Sequence, residues 1–467
     1  MSDPLFRLWE ATVERAPSAV GVIDAATGRA WTRRELLEGA RRRAGAFAVA
    51  AGKTGLRGRR VALSVPNGAE WFHVFMGLMA AGAVPAPVDP SEPAEAQRRA
   101  AHSIGAAFLL LEGRLGRLGK DGEAPSGRFR PPQECLVKLT SGSTGAPKGL
   151  SATHAQMAAD GRQICASMGI GPDDVNLATI PLGYSYGLGN LVVPLMLQGT
   201  CVVCAPSALP HALGADALRF APTVFPAVPP VLKALAASDL PRSSLASLRL
   251  VISAGSPLSP DLARAFADKF GIRVHGFYGT SETGGISFDR SGDATLGGRS
   301  VGTPLAGVRI EPRDSGRFTV SGAAVLGRGR FSPADRGAFN PEGELCLLGR
   351  SDRVVKVAGR RVDLAEIEAA LRAVPGVRDA LAHLGEGADA VLAAAVATEL
   401  SPSEVRRRLR AHAASWKIPA RIVALPEFPV TSRGKTDSRK LRQLLSEPRT
   451  TTSISTLSAA RQISAPR

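Results

Sequence analysis

A short run of small, hydroxyl-bearing and cationic residues is the part of the sequence best suited to chemistry. It reads LTSGSTGAPKG over residues 139–149. Its glycines let the backbone bring N–H groups close to an anion, and its hydroxyls and lysine add further donors. Glycine follows the lysine, so the spacing is not that of the Walker loop. A surface turn is the alternative, but the run predicts a phosphate-binding loop with candidate ligands Thr140, Ser141, Gly142, Ser143, Thr144, Gly145 and Lys148.

Two later segments carry groups that suit a nucleotide and a metal ion. Residues 276–284 read GFYGTSETG, in which the aromatic face of Tyr278 suits a purine and the carboxylate of Glu282 suits a hard cation on phosphate oxygens. Residues 429–441 read PVTSRGKTDSRKL and place Lys435 directly after a glycine. Taken singly, each segment fits a turn with solvated charges equally well.

In this order the segments resemble the motifs of the adenylate-forming superfamily, which includes acyl-CoA synthetases, aryl-acid ligases, nonribosomal adenylation domains and luciferases. The resemblance covers roughly residues 5–445. It implies that Tyr278 stacks on adenine with Gly279 in the same motif, that Ser281 bonds phosphate and that Glu282 holds Mg²⁺. Ser281 replaces the threonine usual in this motif.

The C-terminal part of the resemblance implies residues for the ribose, the hinge and catalysis. Asp335 is expected on the ribose hydroxyls, although proline and alanine stand before it where the family has Thr-Gly. Arg350 is expected on ribose or phosphate, Asp352 at the pivot and Gly359 beside the thiol tunnel. Lys435 is then the adenylation lysine, carried on a mobile domain.

Two segments resemble those that border the acyl group in this superfamily. The first, residues 251–259, reads VISAGSPLS and contributes Gly255 to the expected acyl pocket. The second, residues 181–190, reads PLGYSYGLGN and contributes Tyr184 and Ser185. Gly276 is a further expected pocket residue. Amino-acid-activating relatives place an aspartate for the substrate ammonium where this chain has Ser185. A buried ammonium without a counter-ion is costly, so a fatty or aryl acid is expected.

The resemblance implies ATP-dependent activation of a carboxylic acid to an acyl adenylate, with release of pyrophosphate and transfer to the thiol of CoA. ATP, Mg²⁺ and CoA are the expected cofactors and co-substrates. One alternative acceptor is the phosphopantetheine of an acidic acyl carrier protein, which a basic surface would suit. An alternative of another class is a catalytically weak nucleotide-binding protein; the presence of Lys435 and Glu282 argues against it.

Composition excludes several other classes. The formal charge is +17, but arginines fall in short runs on helix-like segments and aromatic residues make up only 5%, so no nucleic-acid partner is expected. The longest apolar run is shorter than the ~20 residues of a membrane span, and no targeting segment is recognised. Five scattered cysteines suggest a reducing cytoplasm, and CVVC at residues 201–204 is read as a buried strand.

The chemistry-bearing segments lie in an alternation of helix-like and strand-like runs. This pattern predicts an α/β fold, with a large N-terminal domain of mostly parallel sheets covered by helices and a β-rich part, and a small mobile α+β C-terminal domain. The expected boundaries are residues 1–351, a hinge at Asp352, residues 353–446, and a disordered tail over 447–467. Within the small domain, a helix is expected over residues 403–415.

Overall fold

The computed structural model describes residues 4–118, 134–140, 148–350, 353–357, 360–385, 391–413, 417–431 and 436–446. The chain divides into two compact units, the first ending at Gly349 and the second beginning at Arg350. The helices of the described residues are α1 Pro4–Arg15, α2 Arg33–Ala51, α3 Ala69–Ala80, α4 Ala94–Ser103, α5 His154–Met168, α6 Ser185–Gly187, α7 Val193–Gln198, α8 Pro210–Phe220, α9 Pro229–Ala237, α10 Pro260–Phe270, α11 Asp293–Gly297, α12 Leu326–Gly329, α13 Leu364–Arg372, α14 Pro402–Leu409 and α15 Ser438–Ser446. The strands are β1 Val20–Asp24, β2 Arg29–Thr32, β3 Arg60–Leu63, β4 Val84–Pro87, β5 Phe108–Leu111, β6 Arg114–Arg117, β7 Glu134–Thr140, β8 Lys148–Thr153, β9 Val175–Ala178, β10 Cys201–Cys204, β11 Val224–Ala227, β12 Leu250–Ser253, β13 Val274–Thr280, β14 Gly284–Phe288, β15 Thr303–Pro304, β16 Arg309–Pro312, β17 Phe318–Ser321, β18 Arg330–Phe331, β19 Asp335–Phe339, β20 Leu345–Arg350, β21 Val354–Val357, β22 Arg360–Asp363, β23 Val377–Leu384, β24 Leu392–Thr398 and β25 Arg421–Leu425.

A nine-stranded sheet forms the centre of the first unit, in the order β15-β14-β13-β12-β11-β9-β10-β1-β2. Neighbouring strands from β13 through β1 run parallel, and the outer strands β14, β15 and β2 run antiparallel. Ala227 and Ser253 are the last residues of β11 and β12, and they lie in one row with Gly276, beyond which β13 continues to Thr280. The loops that follow these strands therefore meet at one edge of the sheet, where open α/β sheets bind ligands. The predicted α/β fold with mostly parallel sheets is confirmed.

Apolar side chains cover both faces of this sheet. On one face Ile164 of α5 packs with Ile252 and Phe277; on the other, Phe225 packs with Phe266 of α10. Parallel strands buried on both faces read as continuous apolar runs, which is why β10 could be recognised from CVVC. Burial raises the pKa of the Cys201 thiol to about 11, so this cysteine is a neutral core residue at pH 7.

Helix α5 begins and ends on local signals. The Thr153 hydroxyl accepts a hydrogen bond from the Gln156 N–H, and the Gln156 side chain accepts one from the Thr153 N–H. The helix ends at Gly169, whose φ of +63° places it in the left-handed region. These signals fix the helix that runs beneath the candidate site.

The hairpin of β7 and β8 holds the two ends of the predicted phosphate loop, because Thr140 pairs with Lys148 across it. At its base a buried ion pair joins the Arg60 guanidinium to the Glu134 carboxylate at 2.6 Å, with side chains 6% and 5% exposed. Arg60 also donates to the Ser151 hydroxyl. The hairpin is thereby tied to β3 and the sheet β4-β3-β5-β6.

The second unit has its own core around the sheet β23-β24-β25. Leu364, Ile367 and Leu371 of α13 pack on this sheet with Leu409 of α14. The expected helix over residues 403–415 is wrong at its end, since α14 stops at Leu409. The N–H of His412 bonds back to the Leu409 carbonyl, so the chain closes in a tight turn after its last buried anchor.

Within the described part of the chain, every helix is too short or too polar to cross a membrane.

A polar cluster joins the amino ends of β9, β11 and β12, opposite the ligand edge. The Asp174 carboxylate accepts hydrogen bonds from Arg249 at 2.6 and 2.9 Å, from the Thr223 hydroxyl at 2.7 Å and from the Gly171 N–H at 2.8 Å. Burial alone would raise the pKa of Asp174, but these hydrogen bonds outweigh it and lower the pKa below its ordinary value. The ionised carboxylate is therefore part of the folded structure.

Asp174→Asn is expected to lower the free energy of unfolding at pH 7 by roughly 1–2 kcal/mol, allowing for the half-exposed Arg249. Because the folded pKa lies below the unfolded value of about 4, the stabilisation is present above that pH. It is lost as the pH falls through the folded value, so the two proteins should converge in acid. Urea unfolding between pH 7 and pH 2 measures this. Asp261→Asn, which breaks an exposed pair with Arg264, is the control; equal losses for both variants would contradict the prediction.

Candidate active site

Two residues from distant segments meet at the carboxyl edge of the central sheet. Ser185 follows β9, and Ser281 lies in the turn between β13 and β14. The Ser185 hydroxyl donates a hydrogen bond to the Ser281 hydroxyl at 2.9 Å, across 96 residues of chain. The structure therefore brings a predicted acyl-pocket residue against a predicted phosphate ligand.

The turn that carries Ser281 and Glu282 is fixed by its neighbours. Thr283 is buried, and its hydroxyl accepts from the Thr280 N–H at 3.2 Å while donating to the Gly284 carbonyl at 3.0 Å. The N–H of Leu326 donates to the Glu282 carbonyl at 2.8 Å. These bonds use Thr283 and the backbone, and the half-buried Ser281 hydroxyl, which accepts from Ser185, keeps its own hydrogen to donate to a ligand beside the half-buried Glu282.

An aromatic ring and a carboxylate meet beside this turn. Tyr278, near the end of β13, donates its phenol hydrogen to the Asp335 carboxylate at 2.8 Å, across 57 residues. Asp335 is the first residue of β19, and both side chains are half-buried. A partly exposed aromatic face next to an anionic acceptor suits a base joined to a sugar with free hydroxyls.

The site glycines have structural reasons of their own. A Cβ added at Gly276 would lie 2.9 Å from the Thr295 hydroxyl, and one at Gly279 would collide with the Gly284 carbonyl. Gly255 has φ of +88°, which disfavours any other residue. Close packing and backbone conformation thus account for these glycines, and their contact with substrate stays a prediction.

Tyr184 has a partner that the sequence did not reveal. Its hydroxyl donates to one oxygen of the Asp89 carboxylate at 2.7 Å. The other oxygen accepts from the Ser91 N–H at 2.9 Å and the Ser91 hydroxyl at 2.6 Å. The sequence offered one signal: Asp89 stands two residues before Ser91, just after β4, and this spacing is typical of an Asx turn.

Tyr186 was also missed, and it closes an apolar wall beneath Ser185. Its hydroxyl donates to the Ile252 carbonyl at 3.1 Å, and its ring centroid lies 6.0 Å from that of Phe277. Burial raises the pKa of Tyr186 well above its ordinary value, so the phenol stays neutral. The wall formed by Tyr186, Ile252 and Phe277 contains no charged side chain.

The roles of the remaining predicted site residues stay predictions. Thr140 and Lys148 are the paired ends of the β7–β8 hairpin, and Lys148 is exposed. Arg350 is the exposed last residue of β20. Outside the described residues lie Ser141, Gly142, Ser143, Thr144, Gly145, Asp352, Gly359 and Lys435.

The described residues include no ready-made group of metal ligands. In the ranges that the structure describes, no three His, Cys, Asp or Glu residues form a group that could hold one. Mg²⁺ is commonly held by one or two carboxylates together with substrate phosphates and water. The half-buried carboxylate of Glu282, next in sequence to Ser281, fits that form of binding.

Comparison with known proteins identifies the family. The model of the AMP-binding enzyme matches residues 9–327, and that of the AMP-binding enzyme C-terminal domain matches residues 366–435. The chain is 29% identical over 83% of its length to phenyloxazoline synthase MbtB of Mycolicibacterium paratuberculosis, of which it spans 38%, and 29% identical over 67% of its length to benzoate–CoA ligase of Thauera aromatica, of which it spans 66%. Its fold is similar to that of ATP-bound MatB from Rhodopseudomonas palustris, with a TM-score of 0.79, 21% identity, and coverage of 95% of this chain and 99% of that one. The chain belongs to the AMP-binding enzyme family.

Proposed function

We propose that this protein is an AMP-forming acid–thiol ligase that activates an aryl or fatty acid with ATP and transfers the acyl group to CoA. The contact between Ser185 and Ser281 carries the proposal. It joins the segment assigned to the acid with the segment assigned to phosphate, and an acyl adenylate forms where those two substrates touch. Membership of the family supports the ATP-dependent step.

In the first half-reaction a carboxylate oxygen of the acid attacks the α-phosphorus of ATP. A new P–O bond forms, and the bond to pyrophosphate breaks. Tyr278 stacks on adenine, and the Asp335 carboxylate accepts hydrogen bonds from the ribose hydroxyls. These contacts hold the α-phosphate near the turn that carries Ser281 and Glu282. Ser281 donates to phosphate, and the Lys435 ammonium stabilises the negative charge that develops on the oxygens. Mg²⁺, when bound at Glu282, neutralises phosphate charge. Positioning and charge stabilisation supply most of the catalysis in such a transfer.

In the second half-reaction a thiol attacks the carbonyl carbon of the acyl adenylate. A C–S bond forms, AMP leaves with the C–O bond electrons, and the thiol proton passes to solvent. Rotation about Asp352 would replace Lys435 by Gly359 and its loop at the reacting carbonyl. These three residues lie outside the described part of the chain, so their roles rest on the family resemblance.

The contacts around Ser185 support an acid without an α-amino group. Ser185 offers a hydroxyl where an ammonium would need a carboxylate. Asp89, the carboxylate in contact with the neighbouring Tyr184, already accepts hydrogen bonds from Tyr184 and Ser91. The neighbouring ring of Tyr186 is neutral and suits an apolar chain or an aryl ring. The name of the benzoate–CoA ligase relative agrees with an aryl acid.

An ATP–pyrophosphate exchange screen over aryl acids, fatty acids and the proteinogenic amino acids tests this proposal. We expect exchange with one or more aryl or fatty acids and none above background with amino acids, because Ser185 provides no counter-ion. A clear preference for an amino acid would refute the assignment of the acid. The absence of exchange with every acid, despite ATP binding, would favour a catalytically weak nucleotide-binding protein.

The acceptor is tested with the acid that gives the fastest exchange. CoA and a carrier protein bearing phosphopantetheine are supplied separately, and thioester is measured by mass spectrometry. The proposal expects efficient transfer to CoA. Transfer to the carrier protein alone would replace CoA by that acceptor and leave the adenylation step unchanged.

A further inference from the structure

A buried carboxyl group lies beneath the candidate site and has no role in the chemistry proposed above. Asp160, in the middle of α5, is 2% exposed. One carboxyl oxygen accepts a hydrogen bond from the Gly285 N–H at 3.0 Å, across 125 residues of chain. Burial raises the pKa of Asp160, although the charge of Lys138 and the Gly285 N–H oppose the rise. A buried carboxyl is expensive, so its presence calls for a structural or functional reason.

Two glycines, one in each segment of the site, leave space for the Asp160 carboxyl. A Cβ added at Gly284 would collide with one Asp160 oxygen, and one at Gly189 would lie 3.1 Å from the other. Gly284 begins β14 directly after the turn that carries Ser281 and Glu282. Gly189 lies four residues after Ser185. Asp160 thus packs against the backbone of both segments that meet at the Ser185–Ser281 contact.

A third segment, β7, interacts electrostatically with Asp160. Lys138 is 2% exposed on β7, two residues before Thr140 at the edge of the predicted phosphate loop. Its positive charge acts on Asp160. Asp160 on α5 therefore interacts with three segments. It interacts with β7 through the charge of Lys138, and it packs against the segment after Ser185 and the start of β14.

The hydrogen bond to Gly285 completes the support of the turn. On one side the Leu326 N–H holds the Glu282 carbonyl; on the other the Asp160 carboxyl holds the Gly285 N–H. Loss of the carboxyl would leave a buried N–H without its acceptor and open space beside Gly284. The turn could then shift relative to the phosphates, and a misplacement of about 1 Å can cost on the order of 10²-fold in rate.

We propose that Asp160 is a positioning residue that holds the turn of Ser281 and Glu282 in place for Mg·ATP. The inference rests on the proposed function, because that function assigns the turn to phosphate and Mg²⁺. Asp160 acts through Gly285 and does not touch the substrate.

The test compares Asp160→Ala with Asp160→Asn in the full chain. Asparagine keeps an oxygen of the same reach for the Gly285 N–H, whereas alanine removes it. We expect Asp160→Ala to raise KM for Mg·ATP about tenfold in pyrophosphate exchange, as the loss of one buried hydrogen bond implies, with KM for the acid changed less than twofold. Asp160→Asn should stay within about threefold of the parent chain. Leu213→Val, on α8, removes a buried methylene from the core cluster of Phe225 and Phe266 and should leave both KM values unchanged.

Three results would overturn the inference: an unchanged KM for Mg·ATP in Asp160→Ala, equal losses in the alanine and asparagine variants, or a fall in kcat alone that follows the folded fraction. If Asp160→Ala does not fold, Asp160→Ser replaces it, since serine is too short to reach Gly285. If the parent chain shows no exchange with any acid, the proposed function fails. The Kd for Mg·ATP, measured by calorimetry, then tests Asp160 with the same expected tenfold loss and the same rescue by asparagine.

Discussion

Lys435→Ala is expected to slow formation of the acyl adenylate by on the order of 10²–10³, the usual cost of losing one dedicated charge-stabilising donor. The family resemblance places the Lys435 ammonium against the α-phosphate and carboxylate oxygens in the first half-reaction only. The same variant, given chemically prepared acyl adenylate and CoA, should therefore form thioester at close to the parent rate. Pyrophosphate exchange measures the first step, and single-turnover thioester formation measures the second.

The control for this prediction is Lys440→Ala. Lys440 is exposed on α15, five residues further along the chain, so its loss removes a positive charge without altering the proposed reacting groups. It should leave both half-reactions unchanged. If Lys435→Ala slows both steps equally, the lysine is structural or both steps share one orientation of the chain, and rotation about Asp352 would have to be abandoned.

Glu282→Ala is expected to raise KM for Mg·ATP by about 10–100-fold, since hydrogen bonds and contacts to charged groups contribute about 1.5–3 kcal/mol. The carboxylate is the group at the turn that suits Mg²⁺, and alanine removes it. The melting temperature should not fall, because the structural bond at this residue runs from the Leu326 N–H to the Glu282 backbone carbonyl. Exchange rates over a Mg²⁺ titration and a thermal melt measure the two effects.

Glu342→Ala serves as the matched loss of one carboxylate, at an exposed position after β19. It should change neither KM nor the Mg²⁺ dependence. A normal Mg²⁺ response in Glu282→Ala would remove this residue from the metal site. A fall in melting temperature together with the loss of activity would assign it a structural role instead.

The local sequence determined which segments become helices and strands. The reciprocal bonds of Thr153 and Gln156 start α5, and Gly169 ends it. The apolar run CVVC could form only a buried strand in an α/β alternation. Such signals lie within a few residues of one another, so they can be read without the rest of the chain. The predicted phosphate loop and the Tyr278 motif could be singled out in the sequence for the same reason. The domain boundaries, the hinge and the C-terminal tail stay predictions from that reading.

Only the tertiary structure decided which groups meet. The pairs of Ser185 with Ser281, Tyr278 with Asp335 and Asp160 with Gly285 join segments 96, 57 and 125 residues apart. Their contacts depend on strand order, which places β9 between β10 and β11 and brings the first strand, β1, next to β10. Strand order follows from burying both faces of the sheet at once, a requirement of the whole chain that no short segment records. The same holds for Gly276, since the sequence did not reveal that the hydroxyl of Thr295 on α11 lies beside it.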